Sequence, residues 1–434
     1  MPGLPLRTLL LTLTFAMTAC ESTPQTGDTP FPAPAPMPDP APSTGGSSIG
    51  SFVSSGHTGL DAWRDQFASR AYREGHTISV IRSVLEDIEP MSVFLERSSG
   101  AVDQAEFSKP IWEYVDDTVS NSRLSNGRQR VANDQTLFAA LETAYGVQPE
   151  YLAAIWGMET SYGAVIGNFD APSALASMAA EGRRQSFAER ELMALMTILE
   201  NGDAYRHELI AGWAGAMGQT QFMPTTYVAY AVDWTGDGTK DVWRARADAL
   251  ASAANYLNAS GWRAGEPSLV EVLLPVNFQF SLANGVERPT EFWRQLGVVP
   301  VSRESIDPAN IGEAELWLPA GATGPAFLLY PNFNVIKTYN RADSYALSVS
   351  LIAEGISGRP APGGAWPRDI DRLSISEIRD LQAGLNRLGY NAGAVDGIAG
   401  RGTRSALQRF QIDRGMMADG FPTRTALSHV LAAS

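Results

Sequence analysis

The chain has 434 residues, of which 44% are hydrophobic, and a formal net charge of −14 at pH 7. This length predicts two or three domains, and the hydrophobic fraction excludes disorder throughout. A single cysteine, Cys20, excludes an internal disulfide framework and a thiolate metal cluster, and the four scattered histidines argue against a multi-histidine metal site. The acidic balance argues against nucleic-acid binding, which requires clustered Lys and Arg residues.

Residues 1–20 have the pattern of a lipoprotein signal peptide. A short apolar run from Leu9 to Met17 follows an arginine, and it is too short to span a membrane, which takes about 20 apolar residues. The tetrapeptide Met17–Cys20 resembles a bacterial lipobox, whose cysteine becomes the lipidated first residue. Because Glu21 follows instead of Asp, we expect a periplasmic protein anchored to the outer membrane through lipidated Cys20. A cleaved signal with an incidental cysteine is the alternative.

Residues 21–56 are predicted to form a disordered tether. Proline occupies every second position from Pro30 to Pro42, and a Gly- and Ser-rich stretch follows. Proline favours extended polyproline II structure, whereas Gly and Ser add flexibility. The tether would hold a folded body at a distance from the membrane.

The folded body at 57–358 is predicted to be mainly helical with a minor sheet, an α+β fold. Apolar residues recur at helical spacing in several segments, and two short runs have the character of strands. The helical patterns begin at Trp63, Ile78, Leu192 and Ala249, and the strand-like runs are 269–276 and 326–329.

A Pro- and Gly-rich linker is predicted at 359–371, followed by a small three-helix module at 372–434. Apolar stripes run from Ile378 to Leu388 and from Ala406 to Phe410. Two Asp-Gly turn signals are each followed by Thr-Arg-x-Ala-Leu, and we expect the threonines to cap the helices that they precede. The turns are Asp396-Gly397 and Asp419-Gly420, and the threonines are Thr403 and Thr423.

The segment from Pro149 to Gly163 carries the strongest chemical signal. Proline suits the first position of a helix, and the residues up to Met158 are apolar on every face, as in a buried helix. Helical spacing places Glu159 on the face of Trp156, where the helix would end. Burial raises the pKa of a carboxyl, and a protonated carboxyl can donate a proton to a glycosidic oxygen. The alternative is that Glu159 turns to solvent at a frayed helix end.

A second segment, 212–224, is rich in small, amide-bearing and aromatic residues and has no charge. We expect Gly215 and Gly218 to let the backbone approach a ligand closely. The side chains that would suit the hydroxyl edges and apolar faces of a sugar are Gln219, Gln221, Trp213 and Phe222. A glycine-rich packing corner is the alternative interpretation.

These two segments resemble the membrane-bound lytic murein transglycosylase B family over about residues 60–358. The matching motifs, in the family's order, are Gly157–Gly163, Arg183-Arg184, Ala214–Pro224, Asp233–Gly238, Ala254–Leu257, Gly261-Trp262, Asn332-Phe333, Tyr339–Arg341 and Tyr345-Ala346. The C-terminal module resembles the three-helix peptidoglycan-binding module. The resemblance implies a lysozyme-like catalytic domain and peptidoglycan glycan strands as its partner.

The resemblance also implies the reaction. The family cleaves the β-1,4 bond between N-acetylmuramic acid and N-acetylglucosamine without water and leaves 1,6-anhydro ends. By the family motif Glu159 is the catalytic residue, first as an acid and then as a base. No second catalytic carboxylate is evident in these motifs, so the acetamide of the substrate is expected to stabilise the intermediate; we interpret Glu150 and Asp170 as solvated helix-end and loop residues. A hydrolytic muramidase and a non-catalytic binding scaffold are the alternatives.

Substrate contacts follow from the same resemblance. The positions that line the family's cleft are Arg184, Gln221, Tyr256, Tyr339, Asn340 and Tyr345. Tyr256 also suits a core position. Many members carry Ser or Thr where this chain has Gly212, so the corresponding hydroxyl contact is missing.

One loop has the spacing of an EF-hand. The candidate calcium ligands at positions one, three, five and nine are Asp233, Thr235, Asp237 and Asp241. Position twelve, which needs a bidentate carboxylate, is Arg244, and Asp248 replaces it only if the loop is longer. Some family members bind calcium here. We favour an Asp-Gly turn held by its own side chains, and therefore expect no cofactor.

Overall fold

The computed structural model describes residues 49–95, 109–301, 312–359, 364–370 and 373–434. The predicted signal peptide, Cys20 and most of the predicted tether lie outside these residues. Across the described ranges, every helix is too short or too polar to cross a membrane. The final residues of the predicted tether are described, and the guanidinium of Arg64 donates to the carbonyl oxygen of Val53 at 2.8 Å.

The helices share the amphipathic or fully apolar patterns that the sequence shows. Those of the described residues are α1 (Thr58–Arg73), α2 (Ile78–Leu85), α3 (Ser92–Leu95), α4 (Ile111–Thr118), α5 (Asn121–Asn133), α6 (Gln135–Tyr145), α7 (Pro149–Thr160), α8 (Ala171–Glu181), α9 (Gln185–Glu200), α10 (Pro224–Tyr230), α11 (Arg246–Ala259), α12 (Thr290–Gln295), α13 (Pro331–Ile336), α14 (Asp343–Ile356), α15 (Ile375–Arg387), α16 (Arg401–Asp413) and α17 (Arg424–Ala433). They confirm the mainly helical fold class.

The strands are short. They are β1 (Phe169–Asp170), β2 (Ile210–Ala211), β3 (Leu269–Leu273), β4 (Arg288–Pro289), β5 (Val299–Pro300), β6 (Glu313–Trp317) and β7 (Ala326–Leu329). Strands β1 and β2 form an antiparallel pair, and the other described strands form one sheet in the order β4-β6-β7-β3-β5. The predicted strand at 326–329 coincides with β7. Strand β3 begins with the predicted run at 269–276 but ends three residues before the end of that run.

The described residues divide into two compact units. The first contains 49–95 and 159–253, and the second contains 109–158 and the described part of 254–434. In the first unit, α9 packs against α8 and α10, and α1 packs against α8. These contacts bury the apolar faces of amphipathic helices, which is the main source of helix stability in proteins.

The sheet of the second unit has its own apolar core. Strand β3 pairs with β7 in a register that places Leu269 opposite Leu329. Trp293 of α12 is fully buried in this core, and its indole N–H donates to the carbonyl oxygen of Ala314 at 2.9 Å. A buried indole needs such a partner, so this bond fixes α12 over the sheet.

The C-terminal module has three helices, α15, α16 and α17, around a core that includes Leu381, Leu407 and Phe410. The prediction that Thr423 caps the last helix is confirmed, because its side chain accepts a hydrogen bond from the N–H of Ala426. The prediction for Thr403 was wrong. Helix α16 begins two residues earlier, at Arg401, and the Thr403 hydroxyl instead accepts a hydrogen bond from Gln382.

Candidate active site

Glu159 lies in the last turn of α7 and is only 3% exposed. The alternative of a frayed, solvated helix end is therefore excluded. The preceding turn of the same helix places Ile155 and Trp156 in the interior, at 0% and 2% exposure. A carboxyl group in this position has been withdrawn from most of its water, as the apolar pattern of the helix predicts.

The end of α7 is tied to the glycine-rich segment of the first unit. Thr160, which is fully buried, donates a hydrogen bond from its hydroxyl to the carbonyl oxygen of Gln219 at 2.6 Å. The same hydroxyl accepts a bond from the N–H of Gly163 at 3.0 Å. These bonds fix the chain on both sides of the turn that follows Glu159.

Two residues directly after the helix have strained backbones. Ser161 and Tyr162 have φ values of 52° and 64°, in the left-handed region that side chains disfavour. Each such residue costs about 1 kcal/mol, and such residues cluster at functional sites. Sequence reasoning missed both of them, because left-handed positions are usually recognised from Gly or Asn, and neither occurs here.

Gln221 is oriented by the turn that carries it. It is 8% exposed, has a φ of 51°, and donates from Nε2 to the carbonyl oxygens of Gly218 at 2.8 Å and Ile166 at 3.2 Å. A Cβ atom on Gly212 would lie 3.1 Å from Gln221 Oε1. The glycine that replaces the family's Ser or Thr therefore leaves room for this oxygen.

Other members of the glycine-rich segment serve packing. A Cβ atom on Gly215 would lie 2.7 Å from a Leu175 methyl carbon, and one on Gly218 would lie 2.6 Å from the carbonyl oxygen of Val242. Phe222 is 1% exposed and belongs to the core. The expectation that Phe222 offers a sugar-binding face was wrong, because its ring lies in the core. The two glycines make room for Leu175 and Val242, and the approach of their backbones to a ligand stays a prediction.

Trp213 is half-buried, and its ring centroid lies 5.6 Å from that of Phe94. Its indole Nε1 is buried and has no hydrogen-bond partner within the described residues. A buried donor without a partner is uncommon in folded proteins and needs an explanation.

Arg184 stands at the start of α9, with its guanidinium 4.3 Å from the ring centroid of Phe187. Burial lowers the pKa of Arg184, whereas the charge of Glu191 raises it. Glu191 is 3% exposed and accepts hydrogen bonds from the backbone N–H and the hydroxyl of Thr225, at 2.8 and 2.9 Å. Burial raises the pKa of Glu191 despite these bonds.

The remaining acidic candidates have structural partners. Asp170 caps α8 by accepting from the N–H of Ser173 at 2.9 Å, and it forms an ion pair with Arg206. In the second unit, Glu150 lies 4.0 Å from the guanidinium of Arg359. Neither arrangement presents a second catalytic carboxylate.

The other predicted substrate positions belong to the second unit. Tyr256 is half-buried, its hydroxyl donates to the carbonyl oxygen of Thr338 at 3.0 Å, and its ring centroid lies 5.3 Å from that of Tyr339. Asn340 accepts a bond from the N–H of Ala342 at 3.0 Å, just before α14. Tyr256 is thus not a core residue, whereas Tyr345, at 3% exposure, is mostly buried.

The loop with EF-hand spacing is organised by its own hydrogen bonds. Asp233 accepts from the N–H groups of Gly236, Asp237 and Gly238 at 2.7–3.2 Å. Asp248 is fully buried and accepts from three further N–H groups. These bonds hold the turn by its own side chains, as expected, and the absence of a cation stays a prediction.

The structure changes the set of candidate calcium ligands in this loop. Asp241 faces the guanidinium of Arg244 at 2.8 Å and does not join the other carboxylates. The acidic group that comes together instead, within 4.8 Å, contains Asp233, Asp237 and Asp248. The loop is long enough for Asp248 to reach it, which spacing alone left open.

Two regions of the chain match known protein families. Residues 59–354 match the family model described as transglycosylase SLT domain, and residues 374–428 match the model described as peptidoglycan binding domain. The membrane-bound lytic murein transglycosylase B of Escherichia coli (strain K12) is 32% identical over 219 residues. The match covers 49% of this chain and 58% of that protein, so less than two thirds of the relative is spanned.

Two solved structures are similar in fold. SltB3 from Pseudomonas aeruginosa, in complex with NAG-anhNAM-pentapeptide, is 40% identical with a TM-score of 0.80, over 86% of this chain and 100% of that chain. The Escherichia coli lytic transglycosylase Slt35, in complex with calcium, is 25% identical with a TM-score of 0.57, over 68% of this chain and 92% of that chain. Since the first family model covers more than half of the sequence, the chain belongs to the transglycosylase SLT domain family.

Proposed function

We propose that this protein is a lytic murein transglycosylase. It cleaves the β-1,4 bond between N-acetylmuramic acid and N-acetylglucosamine in peptidoglycan and leaves 1,6-anhydro ends. The observation that carries the proposal is the burial of Glu159, at 3% exposure, at the end of α7 within a motif of the family. The complex of SltB3 with an anhydro-muropeptide supports the same chemistry.

Glu159 acts twice in this reaction. The protonated carboxyl donates its proton to the glycosidic oxygen as the bond to C1 breaks. The acetamide of the muramic residue stabilises the electron-poor C1. The Glu159 carboxylate then accepts the proton of the C6 hydroxyl while that oxygen bonds to C1, which closes the anhydro ring and restores the acid.

The hydrogen-bond partners of the other acidic candidates favour this route over hydrolysis. A glycosidase that uses water needs a second carboxylate to activate that water or to act as a nucleophile. Among the described acidic residues, the obvious candidates in the first unit are already engaged: Asp170 by Ser173 and Arg206, and Glu191 by Thr225. A single functional carboxylate is consistent with an internal hydroxyl as the nucleophile.

Substrate binding is assigned to the polar and aromatic groups at the positions that match the family's cleft. In the first unit, Arg184 and Gln221 are oriented by Phe187 and by the carbonyl oxygen of Gly218. The contributions of the second unit are Tyr256, Tyr339, Asn340 and Tyr345. The aromatic rings would pack on sugar faces, and the amides would bond to hydroxyl or acetamide groups.

The proposed organisation is a signal peptide at 1–20, a tether at 21–56, a catalytic domain at 57–358, a linker at 359–371 and a wall-binding domain at 372–434. Lipidated Cys20 would anchor the protein to the outer membrane from the periplasm. The lipobox-like sequence and the membrane-bound name of the Escherichia coli relative support this location. Incorporation of labelled fatty acid into the wild type, and its loss in Cys20→Ser, would test it.

The reaction is tested by digesting purified sacculi and analysing the products by mass spectrometry before and after borohydride treatment. Products with 1,6-anhydro ends are not reducible, so an unchanged mass is expected. A gain of two hydrogens would identify a hydrolytic muramidase. Release of no soluble product would indicate a binding scaffold.

A further inference from the structure

One turn of the C-terminal module is attached to the sheet region of the same unit. In this docked turn (Ala418–Phe421), Gln411 Nε2 donates to Asp419 Oδ1 at 3.2 Å, and the N–H of Gly420 donates to Gln411 Oε1 at 2.8 Å. The N–H of Phe421 donates to the same Asp419 oxygen at 3.0 Å. A buried glutamine and an aspartate thus define the shape of the turn.

A second turn of the module repeats this structure. In the open turn (Val395–Ile398), Gln382 Nε2 donates to Asp396 Oδ1 at 2.9 Å, and the N–H of Gly397 donates to Gln382 Oε1 at 2.9 Å. The N–H of Ile398 donates to the same Asp396 oxygen at 2.8 Å. The two turns therefore have the same three hydrogen bonds between equivalent atoms.

The helices beneath the two turns also correspond. A Cβ atom on Gly420 would lie 2.7 Å from the carbonyl oxygen of Arg404, and one on Gly397 would lie 3.1 Å from that of Ile375. One helical turn further along, the next neighbours are Gln408 and Arg379. The equivalent pairs are therefore Arg404 with Ile375 and Gln408 with Arg379.

The docked turn binds main-chain amide groups. Asp419 uses its second oxygen, Oδ2, to accept a hydrogen bond, whereas Gln408 and Arg404 donate, at 3.0–3.2 Å. The partner groups are the N–H of Ala322 and the carbonyl oxygens of Ala283 and Pro319. An acceptor beside two donors is a pattern that suits a polypeptide backbone.

The open turn presents the equivalent groups to solvent. Asp396 and Arg379 are exposed, and in the described part of the chain the hydrogen bonds of Asp396 remain within the module. The surrounding apolar side chains are also uncovered, with exposures of 47% for Val395, 51% for Ile398 and 56% for Ile375. Exposed apolar groups around a fixed polar pair indicate an interaction surface.

We propose that the open turn, together with Ile375 and Arg379, binds the stem peptide of peptidoglycan. Asp396 Oδ2 accepts a peptide N–H, as Asp419 Oδ2 does in the docked turn. Arg379 donates to a peptide carbonyl or carboxylate, and the apolar side chains contact alanine methyl groups. The assignment rests on the proposed function, because that function makes peptidoglycan the ligand.

Peptide is favoured over glycan by the chemistry of the docked turn. The bonds that Asp419, Gln408 and Arg404 make to the sheet region all go to main-chain N–H or carbonyl groups. A stem peptide offers the same amide groups, together with methyl groups and free carboxylates. A glycan offers mainly hydroxyl groups, which do not need three large apolar side chains around them.

The test is sedimentation of the full chain with intact sacculi in the presence of soluble competitors; the chain carries Glu159→Gln so that the glycan stays intact. One competitor is the free stem peptide, and the other is the soluble glycan that remains when an amidase strips the stem peptides from sacculi. We expect the stem peptide to release the protein from the sacculi at a concentration at least tenfold lower than the glycan. Equal potency of the two competitors would overturn the proposal in favour of glycan recognition.

Matched variants locate the site. Ile398→Ser and Arg379→Ala are each expected to weaken binding to intact sacculi about tenfold, the size of losing one favourable contact or one charged hydrogen bond. Ile412→Ser, at a similar exposure of 49%, and Arg387→Ala are controls that should bind like the parent. Unchanged binding of Arg379→Ala would reject the site even if Ile398→Ser lowered stability. Since sedimentation needs no turnover, failure of the proposed reaction would leave this result interpretable.

Discussion

Two buried carboxylates of the first unit, Glu159 and Asp248, show that burial alone does not identify a catalytic acid. Asp248 is fully buried, more than Glu159 at 3% exposure. Yet the oxygens of Asp248 accept bonds from the N–H groups of Trp234, Thr235 and Asp241, so it organises the loop around it. Burial raises the pKa of Asp248, and these bonds counteract that effect.

The backbones next to the two carboxylates differ as well. In the Asp233–Asp248 loop the left-handed positions are Gly236 and Gly238, which adopt them at little cost. After Glu159 the left-handed positions are Ser161 and Tyr162, whose side chains make this conformation costly. Backbone strain at non-glycine residues therefore occurs beside Glu159, which the proposed reaction uses, but not in the described Asp233–Asp248 loop. Strained non-glycine residues therefore distinguish the two regions better than burial does.

Replacing the carboxyl of Glu159 is the strongest test of the proposed difference between Glu159 and Asp248. Glu159→Gln keeps the size of the side chain but removes the acid and base, so the rate of muropeptide release should fall by about a thousandfold, within the usual range for general acid–base catalysis. Thermal melting should be nearly unchanged. Asp170→Asn is the control, expected to lower stability through Arg206 while turnover persists. Full activity of Glu159→Gln would remove the proposed catalytic role.

Asp248→Ala should lower stability, whereas Glu159→Gln should lower turnover. Its removal leaves three N–H groups without their acceptor, so the free energy of unfolding should fall by about 3 kcal/mol in urea titrations. Asp237→Ala, at an exposed neighbour whose carboxylate accepts from the N–H and the hydroxyl of Thr239, should cost about 0.5 kcal/mol. Equal losses in the two variants would contradict the anchoring role of Asp248.

Two substitutions, one to glycine and one from glycine, test the difference in backbone strain between the two regions. Ser161→Gly should raise the free energy of unfolding by about 0.5 kcal/mol and lower turnover, because the segment after Glu159 becomes looser. Gly236→Ala should lower stability by about 1 kcal/mol, since its φ of 72° disfavours a side chain although the space around it is open. Turnover of Gly236→Ala should match the wild type. A stability loss in Ser161→Gly would argue against stored strain at this turn.

The smallest expected effect concerns calcium. Because N–H groups of the loop already bond to Asp233 and Asp248 and hold the turn by themselves, removing calcium with a chelator should shift the melting temperature by less than about 1 °C. Melting is measured with chelator and with millimolar calcium. A rise of several degrees with calcium would mean that the loop rearranges into a cation site.

Much of the fold follows from local sequence patterns. The apolar run after Pro149 predicts α7, and the run at 326–329 predicts β7, because burial on all sides needs continuous apolar sequence. The errors occur where a distant segment decides. Phe222 is in the core, although local composition indicated a sugar-binding wall. Spacing along the chain does not reveal which segment fills the space beside a side chain.

The sequence by itself determined the helices with a clear apolar pattern, the repeated Asp-Gly turns and the position of Glu159 at a helix end, because these depend on neighbours within a few residues. The tertiary structure decided what each group faces. Asp396 and Asp419 have the same local bonds, yet one turn is open and the other is attached to the sheet region. Likewise Thr160 is fixed by the carbonyl oxygen of Gln219, 59 residues away. Such contacts depend on three-dimensional packing, which local sequence patterns do not encode.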